Sequence, residues 1–104
     1  MKFKEAQEEF IQTWGALGSS WGINRTMSSI HALLISSARP LSTEEIMDYL
    51  KISRGNANMN VRALIDWGLV KRQLVAGERK DFFSAGNDPW EIARQVSEER
   101  RKRE

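Results

Sequence analysis

The chain contains no cysteine. That excludes disulfides, a thiolate nucleophile, a thiol redox sensor and any zinc site built on cysteine. Its one histidine, His31, lies in "SSIHALLISS" with no carboxylate pair at ligand spacing. It reads as a helix-surface or boundary residue rather than a metal ligand. No Ser/His/Asp set, carboxylate pair or phosphate-binding loop is evident, so neither an enzyme nor a cofactor is expected. No apolar run approaches the ~18 residues of a membrane span, and no membrane partner is expected. The N-terminus, "MKFKEAQEEF", has acids where a secretory signal has its apolar region. The expected location is the cytoplasm. There is no repeat, linker or low-complexity tract, and 104 residues suit one domain, 1–104, with one modest core.

Net charge is +2, but its distribution is uneven. Between Lys51 and Lys80 stand Lys51, Arg54, Arg62, Lys71, Arg72, Arg79 and Lys80 against Asp66 and Glu78, a local balance of +5. The stretch just before it, "STEEIMDYL", carries three acids and no cation. Such a basic segment is either a solvated face or the footprint of a polyanion.

Apolar spacing divides the chain into elements. Phe3, Phe10, Trp14, Leu17 and Trp21, with Ala6 and Ile11 beside them, predict an amphipathic helix over 2–21. Gly15 and Gly18 weaken it or admit a second helix closely. "WGIN" breaks the pattern at Gly22. Asn24 then caps a helix over 25–37 with an inner face of Met27, Ile30, Leu33 and Leu34. Pro40 ends that run, and Leu41 reads as a very short strand. Ser42 and Glu45 form a capping box for a helix over 43–51 that buries Ile46, Met47 and Leu50. Ser53 caps a helix over 54–67. Its inner side holds Ala57, Val61, Leu64 and Ile65, and its outer side Gly55, Asn56, Met59, Arg62, Ala63 and Asp66.

Gly68 stands where a left-handed residue ends a helix. "LVKRQLVA", "GERK" and "DFFSA" read as strand, turn and strand. Asp88 caps a last helix that opens on Pro89 and carries Trp90, Ile92, Ala93 and Val96. The tail "SEERRKRE" has no apolar position left.

The expected fold is mainly α with a small β-hairpin: a helix-turn-helix followed at once by a wing. In such a fold the second helix enters the major groove and the wing follows the backbone. The candidate DNA-contacting residues are Ser53, Arg54, Gly55, Asn56, Asn58, Met59, Arg62, Arg79 and Lys80. Asn can bond adenine bidentately and Arg guanine, and a helix N-terminus favours phosphate. Three Asn within five positions, Asn56, Asn58 and Asn60, are poor helix formers and mark a face kept for contact, or else for local capping. The alternative is a winged helix whose basic face binds an acidic protein partner.

"LIDWGLVKRQLVAGERKDFFSA" resembles the recognition-helix-to-wing segment of MarR-superfamily regulators, and "ISRGNANMNVRALIDWGLVKR" with "GERKDFFSAGNDPWEIAR" resembles the GbsR-type branch more closely. The resemblance implies a homodimeric transcriptional regulator, usually a repressor, that binds double-stranded palindromic DNA. It maps the recognition helix onto Arg54–Trp67 and the wing onto Ala76–Asp81. It also implies a winged-helix core over 25–86 and dimerisation helices over 1–24 and 87–104. Such proteins often answer to a small effector, which the residues here do not name. Family members continue well past the position of Glu104, so the chain is expected to be either a short member or a truncation.

Overall fold

Local hydrogen bonds start four of the helices. The Asn24 side chain accepts from Met27 N at 2.8 Å, and the Ser53 hydroxyl accepts from Asn56 N at 3.1 Å. Ser42 accepts from Glu45 N at 3.3 Å while the Glu45 carboxylate accepts from Ser42 N at 3.0 Å, the reciprocal capping box. Asp88 Oδ1 accepts from Trp90 N at 3.0 Å, just before Pro89 opens its helix. Each cap satisfies backbone donors that no helix can satisfy for itself.

The computed structural model describes residues 2–20 and 24–103, with side chains described for 5–14 and 24–103. The elements are α1 (Lys2–Ser20), α2 (Arg25–Ser36), β1 (Leu41–Ser42), α3 (Thr43–Leu50), α4 (Arg54–Asp66), β2 (Val70–Gln73), β3 (Phe82–Ala85) and α5 (Pro89–Arg103). The architecture is mainly helical with a three-stranded antiparallel sheet, a winged helix-turn-helix. Strand order is β1-β3-β2, with Leu41 opposite Phe83 and Arg72 opposite Phe83 from the other side. The expected hairpin therefore gains β1 as a third strand. No described helix is long and apolar enough to cross a membrane.

α2 is the central helix. Met27, Ser28, Ile30, His31, Ala32, Leu33 and Leu34 are all buried, which leaves no broad polar face. His31 is thus corrected from the surface to the interior, at 3% exposure. Its Nδ1 accepts from Trp14 Nε1 at 3.2 Å, which ties α1 to α2. In α1, Ile11 is buried and Phe10 and Trp14 pack against the core, whereas Ala6 is exposed. The Phe3 and Leu17 side chains, Gly15 and Gly18 as packing positions, and Trp21 and Gly22 lie outside what is described.

α3 buries Ile46 fully, with Met47 and Leu50 half-buried. Lys51 closes it in the left-handed region at φ 58°. α4 buries Ala57, Asn60, Val61 and Leu64. Ala63, expected outside, packs against the core instead. At Gly68, φ is +78° and an added Cβ would lie 2.5 Å from Gln95 Nε2. Conformation and space therefore both demand glycine there.

Two expectations fail in the second half. The wing is not two long strands around a four-residue turn: β2 stops at Gln73 and β3 starts at Phe82, leaving 74–81 as loop. Leu74 is 86% exposed, so nothing lies against either face of the hairpin beyond Gln73 to hold a ladder. Within the loop, Glu78 N donates to Val75 O at 3.0 Å and Gly77 has φ +85°, as a tight turn with glycine third requires.

In α5, Ile92, Val96 and Glu99 are buried, but Trp90 is 85% exposed and Ala93 is exposed. The buried stripe follows positions 92, 96 and 99, with Glu99 completing it near Lys102 at 3.3 Å and Arg103 at 3.3 Å. Arg103 also stacks over the Trp67 ring, 4.9 Å from its centroid. Gln95 Nε2 donates to Trp67 O at 2.8 Å. α5 is thereby pinned to the C-terminus of α4.

Candidate nucleic-acid interface

The helix-turn-helix places the start of α4 beside the start of α3. Arg54, first in α4, reaches Glu44 in the first turn of α3: Nη1 lies 3.1 Å from Oε2. The Glu44 carboxyl is held below the usual carboxylate range, first by a hydrogen bond from its own backbone N–H. The hydrogen bond and charge of Arg54 and the charge of Lys80 add to this. One carboxylate therefore senses both the recognition helix and the wing. Arg54 and Lys80, 26 positions apart in sequence, belong to one electrostatic neighbourhood.

The other candidates sort by exposure. Gly55, Asn58, Met59, Arg62, Arg79 and Lys80 are exposed, with Met59 at 66%. A Cβ on Gly55 would touch nothing within 4 Å, so the backbone there faces open space. Arg62 and Arg79 have no acid partner among the described residues. The Ser53 oxygen is committed to its capping bond.

Asn56 is half-buried and its Oδ1 accepts from Asn60 Nδ2 at 2.7 Å, so its amide is partly engaged inside the protein. Asn60 is buried, donates also to Asn56 O at 2.9 Å, and accepts from Asn24 Nδ2 at 3.1 Å. It joins the start of α2 to the middle of α4. Its position, three after Ala57 and four before Leu64, is the inner-face spacing that identifies it.

In the wing, Arg72 Nε lies 3.4 Å from Asp81 Oδ2. This pair spans the base of the loop and leaves the tip cations free of it. Glu45, the other acid of the α3 start, pairs with Arg39, whose guanidinium holds the carboxyl down to about 2. The acids of "STEEIMDYL" are therefore not remote from the basic segment. Glu44 sits inside the positive surface, and charge counting along the chain misses it. The one signal available is the helix-turn-helix itself, which brings the first turns of both helices to the same side.

A sequence pattern described as the MarR family matches residues 21–81. The HTH-type transcriptional regulator MmpR5 of Mycobacterium tuberculosis is 32% identical over 76 residues, which are 72% of this chain and 46% of that protein. The chain thus spans about half the length of the curated relative it matches. Among solved structures, one described as a transcriptional regulator superposes with a TM-score of 0.76 at 28% identity, over 94% of this chain and 65% of that one. A MarR transcriptional regulator from Methanosarcina mazei Go1 gives 0.62 at 20% identity, over 90% and 68%. At that identity the likeness speaks for the fold alone. With the family pattern spanning more than half of its length, and with the winged helix-turn-helix described above, this chain belongs to the MarR family.

Proposed function

We propose that the chain is a sequence-specific DNA-binding transcriptional regulator of the cytoplasm, acting as a dimeric repressor. α4 lies in the major groove, with Arg54, Asn58, Met59 and Arg62 toward base edges and neighbouring phosphates. Arg79 and Lys80 hold the wing to the backbone. The observation that carries this reading is the shared neighbourhood of Arg54 and Lys80 around Glu44, which supports a single surface for helix and wing. Most contacts of such a surface go to phosphate and position the protein, while base edges specify. A second copy is supported by the 85% exposed Trp90. It is supported as well by the apolar groove of about 410 Å³ lined by Trp14, Pro89, Ile92, Ala93 and Val96. Within the family, the "GERKDFFSAGNDPWEIAR" stretch favours the GbsR-type branch.

The test is a titration of a fluorescent random-sequence duplex at several salt concentrations. Neutralising about six phosphates per dimer gives a slope of log K against log salt near about −5. A slope near zero removes the DNA reading and leaves the basic face for an acidic protein. Equilibrium sedimentation tests the dimer.

A further inference from the structure

A carboxylate inside a phosphate-binding surface opposes the main source of affinity. Glu44 is such a group, and its side chain is about half exposed at 49%. It takes one N–H of Arg54, through Nη1 alone, and leaves the remaining guanidinium donors open. An Arg carries five N–H donors, so a bidentate bond to a base edge stays possible while the pair is intact. A phosphate fares differently. It is drawn by net charge, and the paired guanidinium presents little, with a second anion beside it. A guanine edge offers neutral acceptors and is not repelled in the same way. Lys80, which acts on the same carboxylate, is likewise partly compensated.

We infer that Glu44 is a specificity-determining residue: paired with Arg54 and close to Lys80, it makes these cations poor phosphate ligands while leaving Arg54 able to read a base edge. This rests on the DNA-binding reading above. Glu44 weakens binding to arbitrary sequence, where phosphate contacts supply nearly all the affinity, more than binding to a specific site. The exposed geometry suits the role, because an exposed ion pair is worth little to stability and exchanges readily.

The experiment compares wild type with Glu44→Gln, which keeps an acceptor for Arg54 and removes the charge. Two probes are used: a random-sequence duplex and a duplex selected by the wild-type chain from a random library. Freeing one cation per chain steepens the random-duplex slope by about 0.9, or roughly eightfold tighter binding at 0.1 M salt than the change seen at 1 M. Affinity for the selected duplex rises much less, so the ratio between the two falls. Glu91→Gln, an exposed acid paired with Arg94 in the first turn of α5, controls for net charge and leaves both affinities within about twofold. In an Arg54→Gln background, the Glu44→Gln effect shrinks. Equal gains on both duplexes, no gain on either, or an equal gain from Glu91→Gln overturns the inference. A wild type with no salt dependence on any duplex instead overturns the DNA-binding reading on which it rests. Melting temperatures of the variants confirm that each compared protein is folded.

Discussion

The Trp14 indole donates to His31 Nδ1 at 3.2 Å, across the contact between α1 and α2. That bond makes Nδ1 the acceptor and leaves the imidazole proton on Nε2, a buried atom with no partner among the described residues. Burial pushes the His31 pKa down to about 4, from an ordinary 6.5. Between those values the unfolded chain binds more protons than the folded one, so stability increases with pH. The contribution is fully present above pH 6.5 and is lost as pH falls toward 4, by about 3 kcal/mol. Urea midpoints measured at pH 7 and pH 4.5 should differ accordingly. His31→Leu should flatten that window, while Glu45, held down to about 2 by Arg39, produces its loss at lower pH.

Asn60 and Asn58 are near neighbours in sequence with opposite surroundings. Asn60 is buried and bonded to Asn24 and Asn56, whereas Asn58 is exposed. Asn60→Ala should destabilise by about 2 kcal/mol, and Asn58→Ala should stay within about 0.5 kcal/mol of wild type. Chemical denaturation separates the two. An equal cost for both would contradict the burial of Asn60.

Gly68→Ala meets two obstacles, a positive φ and the Gln95 side chain. Its cost should be about 2–3 kcal/mol, from left-handed strain plus loss of the Gln95 bond to the Trp67 carbonyl. In a Gln95→Ala background the steric part disappears, and the extra cost of Gly68→Ala should drop by about 1 kcal/mol. Thermal melts of the four proteins give the cycle.

On DNA, wing and helix should fail differently. Arg79→Ala should weaken all duplexes alike and reduce the salt slope by about 1, because a phosphate contact carries no sequence information. Asn58→Ala should narrow the gap between selected and random duplexes by about 1–3 kcal/mol. Competition binding at fixed salt reads both. A uniform loss from both variants would refute the division of roles.

The features legible in the chain are those set within three or four positions. Asn24, Ser42 with Glu45, Ser53 and Asp88 cap helices because a side-chain oxygen reaches a backbone N–H two or three residues on. Gly68 ends α4 for a similarly local reason. The exposure of Arg54, Asn58, Met59 and Arg62 follows from 100° per residue. The MarR-type order of helices and wing is itself a string of such local signals.

Packing between distant elements settles the remainder. His31 is interior because α2 is covered on most sides, which no spacing within α2 announces. Trp90 faces outward because α5 turns Ile92 and Val96 inward. The wing ladder ends at Gln73 for want of anything to cover Leu74. Glu44 meets Arg54 only once two helices cross, and their charges, ten positions apart in sequence, become one pair at 3.1 Å. Capping and periodicity are short-range in sequence and can be read from residue order. Burial and charge pairing depend on distance in space, which residue order does not contain.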